Sequence, residues 1–254
     1  KPVLNLAKPY NDETKLQPNY NPGSGYDPQN PYEGRDPRFY ASIHFNGSTV
    51  LVNGTPIKVE TFVGGNCGIS NDRSHTRTGY YNRKYMHPEA GQLRPQDDGL
   101  WKHYRLGAVY LNAAEAAAQT GRTEEAMKYV NTIRHRAGFS PSVDIKANSK
   151  EEAVLYVHHE RQVELCYEEY RYFDTRRWCK PDEDNICEKF STGMRITRNG
   201  DNTFSYQRVL VGTLSTETPS KMSYEKKYHL LPIPLDEVSK LESQTGISWQ
   251  NTGW

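Results

Sequence analysis

The stretch LGAVYLNAAEAAAQTGRTEEAMKYVNTIRHRAG, residues 106–138, predicts two consecutive helices. Apolar and small residues recur in it with the period of a helix, and Gly121 and Gly138 stand where the two helices should end. Thr123 is expected to cap the second helix. The short connection and the small residues are typical of a tetratricopeptide-type helix hairpin. The face of the first helix that is expected to be buried comprises Leu106, Val109, Tyr110, Ala113 and Ala117.

A third helix is expected to follow, because Ser149 and Glu152 have the spacing of a capping box. It is predicted to run as far as Lys180-Pro181, so that a helical block beginning near Leu100 occupies residues 98–178. A single helix hairpin cannot bury its own apolar face. Its packing partners must therefore come from the irregular parts of this chain or from the rest of a longer protein.

Residues 1–97 are predicted to form long irregular loops and a small β-meander. Residues 1–38 hold seven of the fifteen prolines, a density that neither helices nor central strands tolerate. Over residues 39–63 apolar and polar residues alternate, and two Asn-Gly pairs interrupt them. Asn-Gly between alternating runs is a strong hairpin signal. A polar loop and a further strand over Gly79–Tyr85 are expected to follow.

Residues 179–254 are expected to form loops, short strands such as Phe204–Val211, a short helix over 235–241 and a C-terminal tail. The predicted fold class is therefore mainly α, with long irregular loops and a small β-meander, in a single region covering residues 1–254. Cys179 and Cys187 flank a polar stretch and could form a disulfide in an oxidising compartment. The sequence leaves that pairing open.

The composition argues against several classes of function. The 254 residues carry 32 basic and 31 acidic side chains, for a net charge of +1, which argues against a nucleic-acid partner or a polybasic membrane patch. Mean hydropathy is −0.88 and no apolar run is long enough to cross a bilayer. Yet 11% of the residues are aromatic, with 18 tyrosines, which is more than a disordered chain usually has. A folded protein with a polar, tyrosine-rich surface is indicated.

The candidate catalytic motif, His158-His159-Glu160, is better explained as part of the protein scaffold than as a catalytic site. A zinc protease would need a second histidine four residues after His159, where Val163 stands. Glu160, Glu164 and Glu168 share one helix face, and nearby arginines can neutralise them. A structural ion-pair network is therefore favoured over catalysis. The acidic turn at residues 182–185 lacks the glycine and distal glutamate of a calcium loop, so no metal site is expected.

The tyrosine-rich segment near the start is the first candidate for a binding site. Sugars have C–H faces that stack on aromatic rings and hydroxyls that need paired hydrogen bonds, and this segment supplies both. The alternative is that these tyrosines only attach an irregular segment to the core. The predicted stacking platforms are Tyr20, Tyr26 and Tyr32, and the predicted hydroxyl partners are Asn19, Asp27 and Arg35. The second-choice site is the polar loop with Asn71, Asp72, Arg73 and His75.

Six segments, in order along the chain, resemble motifs of the SusD/RagB family of Bacteroidetes outer-membrane nutrient-binding lipoproteins. They are Asp36–Tyr40, Thr78–Tyr85, Tyr104–Ala116, Asn131–Gly138, Glu160–Trp178 and the close, Leu231–Pro234 with Gln250–Trp254. Gly107 and Thr252 depart from the usual alanine and proline. Each motif is short, but six in one order make the resemblance specific. Family members are longer, so the chain resembles their C-terminal half.

The resemblance implies a SusD-like fold and a non-catalytic protein that captures glycans at the cell surface. It further implies a lipid anchor outside this chain, in the outer membrane, and a position as a lid over a SusC-like TonB-dependent transporter. No cofactor is implied. The resemblance also implies that the matched charged residues are structural. Arg134 and Arg136 are therefore expected to pair with Glu160, Glu164 or Asp174. Family ligand sites lie on variable loops, so no binding residue is transferred by motif.

Three functions therefore remain open from the sequence. The first is glycan capture for uptake, and the near-zero net charge suits neutral sugars, which need no steering field. The second is peptide capture on the same scaffold, with backbone groups as the partners. The third is a tetratricopeptide-like module whose partner is another protein.

Overall fold

The computed structural model describes residues 24–52, 54–69, 74–86, 102–178, 192–211 and 225–254. These ranges contain six α-helices and six short β-strands. The helices are α1 (Pro37–Ser42), α2 (Leu106–Gln119), α3 (Thr123–Arg136), α4 (Lys150–Glu164), α5 (Tyr170–Trp178) and α6 (Leu235–Thr245). The strands are β1 (Ile43–His44), β2 (Thr49–Val52), β3 (Thr55–Lys58), β4 (Tyr81–Asn82), β5 (Thr192–Arg198) and β6 (Phe204–Leu210). The strands pair two by two, so the described part is mainly helical.

The predicted helix hairpin is confirmed: α2 and α3 pack against each other, and α4 packs against both. Their shared core is rich in alanine, and small side chains let the three helices approach closely. Its fully buried members include Ala114, Ala117, Ala118, Val130 and Val157. The predicted buried face of α2 is wrong at its start, because Leu106 is 67% and Val109 is 42% exposed. The alanine side of α2 faces its two neighbours instead.

The starts of α2 and α3 differ from the prediction, and the start of α4 agrees with it. Arg105 is extended, so α2 begins at Leu106 rather than near Leu100. Arg122, not Thr123, occupies the N-cap position of α3. The capping serine of α4 is confirmed, since the backbone N–H of Glu152 donates to Ser149 Oγ at 3.1 Å.

The long third helix is in fact two helices, α4 and α5, separated by residues 165–169. Tyr167 and Glu169 have positive φ angles of 62° and 67°, which a right-handed helix cannot contain. Between them, the Glu168 carboxylate accepts hydrogen bonds from Lys84 and Arg105. Both of these residues are far from Glu168 in the sequence. These contacts hold the chain at the break.

The predicted β-meander is replaced by two separate pairings. The β2–β3 hairpin forms as expected, with Val52 opposite Thr55. The strand expected from Phe39 onward is instead helix α1, because Asp36 caps the N–H of Arg38 at 2.9 Å and Pro37 suits the first helical position. Strand β1 pairs with β4 and not with β2, and β4 is shorter than predicted.

The β5–β6 hairpin carries the second core of the molecule. Strand β6 was predicted, but β5, its partner from Thr192 to Arg198, was not. Aromatic rings from distant segments pack on the hairpin around Ile196, which is fully buried. They are Tyr32, Phe39, Phe45, Phe62, Tyr80, Phe204 and Tyr206. This aromatic core holds the irregular segment on the strands.

The C-terminal tail folds back on the residues before α6. The side-chain amide of Gln250 pairs with both backbone groups of Ile233, at 2.8 and 3.0 Å. Trp254 Nε1 donates to the carbonyls of Lys227 and Leu230, both at 3.1 Å. The two motifs at the end of the chain are therefore bonded to each other. Helix α6 extends four residues beyond the predicted end, to Thr245.

Candidate functional site: a cavity between loops, helices and a hairpin

A cavity of about 720 Å³ lies where three parts of the chain meet. One wall is the irregular segment 24–36 together with α1. The second wall is formed by α3, α4 and the loop 139–146 between them, and the third by Tyr80 and the β5–β6 hairpin. These parts are far apart in the sequence, so the tertiary fold assembles the cavity.

The irregular wall is organised around Arg35. Its guanidinium carbon lies 4.6 Å from the ring centroid of Phe39 and 5.6 Å from that of Tyr26. Arg35 Nη1 also donates to the Pro31 carbonyl at 2.9 Å. A cation over an aromatic face is attracted by the ring quadrupole. The segment therefore presents an aromatic ring and a guanidinium side by side at the cavity.

The helical wall places Arg134 and His159 at the cavity. Arg134 stacks its guanidinium on Phe139, 4.1 Å from the ring centroid. Burial lowers the pKa of His159 to about 4, with the positive charge of Arg38 acting in the same direction, so this imidazole is neutral at pH 7. His159 Nδ1 is buried without a hydrogen-bond partner among the described residues.

The loop of the helical wall is fixed to α3 by one side chain. Asn131 Nδ2 donates to the carbonyl of Ile145 at 2.9 Å, and the N–H of Ile145 donates back to Asn131 Oδ1 at 2.9 Å. This amide thus satisfies both backbone groups of a loop residue, as a strand neighbour would. The loop that lines the cavity is therefore held in one position.

The strand wall contributes Arg208 and Tyr80. Arg208 Nη2 donates to Thr192 Oγ1 at 2.8 Å, across the β5–β6 ladder. Burial raises the pKa of Tyr80 to about 12. Its ring borders both the aromatic core and the cavity, since it lies 6.2 Å from Tyr32 in an edge-on arrangement. Tyr80 is therefore a neutral phenol with one side toward the cavity.

Of the predicted site residues, Tyr26 and Arg35 line the cavity. Asp27 is exposed, does not line it and accepts a hydrogen bond from the N–H of Gln29 at 2.9 Å. His75 lies elsewhere, with Nδ1 3.1 Å from the Gly68 carbonyl. The remaining predicted residues, Asn19, Tyr20, Asn71, Asp72 and Arg73, lie outside the described residues.

Tyr32 does not have the role predicted for it. Only 8% of its surface is exposed, and its ring centroid lies 4.5 Å from Phe45 and 5.5 Å from Tyr206. Neither face of the ring is free to stack on a ligand, so Tyr32 is a core residue that attaches the irregular segment. This is the alternative role considered for the tyrosines of this segment.

The sequence reasoning missed Tyr80, Arg134, Phe139, His159 and Arg208. Arg134, His159 and Arg208 lie in helices or strands whose periodicity indicates packing rather than binding. No local signal marks them, because their common feature is a distance that only the fold sets. Arg134 was predicted to pair with a carboxylate, and this is corrected by its stacking on Phe139.

Glu160 and Glu164 on α4 and Glu168 in the break after it form the expected ion-pair network, with partners from four other segments. Glu168 does not share the face of α4 as predicted, because the helix ends at Glu164. Arg38 Nη1 lies 2.5 Å from Glu160 and 2.9 Å from Glu164. Glu164 also bonds Arg105 at 2.6 Å and Arg136 at 2.7 Å, which confirms the expected pairing of Arg136. The network holds α1, α3 and α4 together.

The electrostatics of this network follow from burial and pairing. Burial by itself would raise the pKa of Glu164, but the hydrogen bonds of Arg38 and Arg105 outweigh it and hold the pKa below its usual value. For Glu160 burial wins over the attraction of Arg38, and the pKa is raised. Glu160 and Glu164, the two buried carboxylates at the end of α4, are therefore both bound to cations.

The structure describes two of the four cysteines, Cys67 and Cys166, and both are free. Cys179 and Cys187 lie outside the described residues. Within the described ranges, no three His, Cys, Asp or Glu side chains are grouped so as to hold a metal ion. No helix in the described part of the chain is long and apolar enough to cross a membrane.

The architecture defines a class: mainly helical, with a tetratricopeptide-type hairpin and a cavity closed by irregular segments. The SusD family model matches residues 2–254, and the chain therefore belongs to the SusD family. A search of curated proteins gave no match.

Solved structures share this fold. A SusD-like protein (BF3747) from Bacteroides fragilis NCTC 9343 is similar, with a TM-score of 0.69 and 28% identity over 88% of this chain. BT4246 gives a TM-score of 0.65 and 28% identity over 87%. A SusD-like carbohydrate binding protein (BF0978) from the same B. fragilis strain gives 0.56 and 23% over 84%. The chain spans 39%, 37% and 42% of these proteins, respectively.

Proposed function

We propose that the chain takes part in glycan binding without chemical change of the glycan, and that the cavity belongs to the binding surface. The observation that carries the proposal is the presence of aromatic rings and guanidinium groups together in a cavity of about 720 Å³. Pockets for small ligands are mostly roughly 300–1,000 Å³ and combine apolar walls with a few polar groups. Tyr26 supplies a ring and Arg35 supplies donors at its edge.

Family membership supports the same proposal. One solved protein of the same fold is described as carbohydrate binding. The Glu160 and Glu164 carboxylates of α4 are bound to cations, and a glycosidase needs two carboxyl groups free to act on the sugar. Binding without catalysis is therefore the function that these residues favour.

The test is a titration of neutral and charged oligosaccharides against the chain and its Tyr26→Ala variant. We expect Tyr26→Ala to weaken binding about tenfold, because a stacked ring contributes on the order of 1 kcal/mol beyond its buried area. The matched control is Tyr172→Ala, which removes a tyrosine that is 44% exposed on α5, outside the cavity. Equal affinities for all three proteins would rule out the cavity, and binding of peptides alone would favour peptide capture.

We further propose, from family membership, that the whole protein acts at the outer face of the outer membrane, with a lipid anchor, beside a SusC-like TonB-dependent transporter. Co-purification of the full-length protein with such a transporter from detergent-solubilised outer membranes would test this. Recovery of the protein without any transporter, under conditions that preserve other outer-membrane complexes, would contradict it.

A further inference from the structure

The cavity is lined by more cations than carboxylates. Among the residues that the structure describes, four basic side chains and two acidic ones line it. The basic ones are Arg35, Arg134, Lys146 and Arg208, and the acidic ones are Asp36 and Asp144. His159 adds no charge at pH 7, since its imidazole is neutral there. The local charge thus differs from the near-zero charge of the whole chain.

Both acidic residues of the lining already have partners. Asp36 bonds Arg38 through both carboxylate oxygens, to Nε at 2.9 Å and Nη2 at 2.7 Å. Asp144 Oδ1 lies 2.6 Å from His135 Nε2. The charge of Arg134 does act on Asp36, but the hydrogen bonds of Asp36 go to Arg38 and Asp144 pairs with His135, so neither carboxylate forms a direct ion pair with a described guanidinium of the cavity lining.

Arg134 forms no direct ion pair with the described carboxylates of the network beside it, although its charge acts on Asp36 and Glu160 from a greater distance. The carboxylates of Asp36, Glu160, Glu164 and Glu168 are matched by the cations of Arg38, Lys84, Arg105 and Arg136. Arg134 contacts Phe139, and its Nε is buried without a hydrogen-bond partner among the described residues. A buried donor without a partner is costly, and more so when it is charged. An anion in the cavity would remove this cost.

We infer that the cavity binds glycans that carry an anionic oxygen group, a carboxylate or a sulfate, and that Arg134 is a binding residue for that group. The planar guanidinium fits the two oxygens of such a group in a bidentate arrangement. Arg35 and Lys146 reinforce the positive potential at the same cavity. The inference rests on the proposed glycan-binding function and names the ligand class. The net charge of +1 does not oppose it, because a ligand responds to the local field of a cleft.

The test compares three probes of equal length: a uronic-acid oligosaccharide, its carboxyl-reduced neutral counterpart and a sulfated oligosaccharide. We expect at least one anionic probe to bind about tenfold more tightly than the neutral one, and the difference to shrink at high salt. Arg134→Gln should remove most of that difference and leave neutral binding within about twofold. The control Lys128→Gln removes an exposed charge from α3 outside the cavity and should change nothing.

Two further variants distinguish a loss of binding from a loss of folding in Arg134→Gln. Lys146 is exposed at the edge of the cavity, so Lys146→Gln should lower only anionic binding while the thermal unfolding temperature stays constant. Arg134→Lys keeps the charge and should retain part of the preference. Equal affinity for neutral and anionic probes, with both weakened by Tyr26→Ala, would overturn the anionic inference alone. Affinities that no cavity variant changes would overturn the proposed function as well.

Discussion

Arg161 on α4 and Asp174 on α5 form a buried two-bond ion pair across the break between these helices. Arg161 Nε lies 2.9 Å from Asp174 Oδ2, and Nη2 lies 3.0 Å from Oδ1. The side chains are only 3% and 6% exposed. Arg161 Nη1 also donates to Asn112 of α2 at 2.7 Å. The Arg161 guanidinium therefore fixes α5 to α2 and α4, although the chain breaks between α4 and α5.

Asp174→Asn should destabilise the protein by about 3 kcal/mol, because the buried guanidinium of Arg161 loses the charge of its two-bond partner and keeps only the Glu115 carboxylate, 3.6 Å from its Nε. Urea unfolding measures this change. The control is Glu125→Gln, which breaks an ion pair with Arg122 whose side chains are 40% and 57% exposed. That change should cost less than about 1 kcal/mol. A loss for Asp174→Asn no larger than for the control would contradict the structural role of the pair.

Tyr32 and Tyr26 should respond in opposite ways to truncation. Tyr32→Ala opens a hole in the aromatic core and should cost about 3–5 kcal/mol of stability. Tyr26→Ala should cost less than half of that, since Tyr26 is only partly buried, but should weaken oligosaccharide binding. Chemical denaturation and calorimetric titration on the same two variants separate scaffold from site. Similar stability losses in both would be evidence against this division.

Gly79 is required by both backbone geometry and space. Its φ is +79°, and a Cβ there would lie 2.4 Å from the carbonyl oxygen of Met194 in β5. Gly79→Ala should therefore cost more than the roughly 1–3 kcal/mol of backbone strain alone. Gly200→Ala, in the β5–β6 turn with no atom within 4 Å of the added Cβ, serves as the control and should stay within about 0.5 kcal/mol. Thermal unfolding compares the two, and equal stability would refute the close approach.

His159 should make the protein less stable in mild acid. Its pKa is about 4 in the folded protein against 6.5 for an unperturbed histidine, so the unfolded chain takes up the proton first. Stability is complete above pH 6.5 and decreases as the pH falls toward 4, by on the order of 2–3 kcal/mol. The buried carboxylates Glu164 and Glu168, whose pKa values are lowered against burial by cation partners, lose their contribution only at lower pH.

The measurement is denaturant unfolding of wild-type and His159→Gln protein at several pH values. The variant should lose less stability between pH 6.5 and 4 than the wild type does. His103→Gln removes an exposed histidine before α2 and should leave the wild-type curve unchanged. Parallel curves for wild type and His159→Gln would show that His159 is not buried in its neutral form.

The helix hairpin, the capping serine of α4 and the β2–β3 turn were predictable because their signals act within a few residues. Apolar periodicity, a serine three residues before an N–H, and Asn-Gly between strands each describe local geometry. The prediction failed at α1, at the α4–α5 break and at β5. At the break, contacts from Lys84 and Arg105 override a continuous helical pattern, and no local signal contains them.

The candidate site could be predicted only in part, because its chemistry is local but its geometry depends on long-range contacts. The tyrosine-rich segment could be chosen by chemistry, since rings beside Asn, Asp and Arg are suited to sugars. Its members could not be divided between core and cavity. Tyr26 and Tyr32 have similar neighbours in the sequence, but Tyr32 is enclosed by rings from other segments, from Phe45 to Tyr206, which is 174 positions away.

By itself, the sequence determined the family, the helical class and the place of Glu160 and Glu164 on one face of α4, because ordered motifs and helical spacing are properties of the chain alone. The tertiary structure decided which face of α2 is buried, which tyrosine is core and which cations meet in the cavity. The physical reason is that burial and pairing depend on distances between segments far apart in sequence. Arg35 and Arg134 line one cavity only because the helical block, the irregular segment and the β5–β6 hairpin pack together.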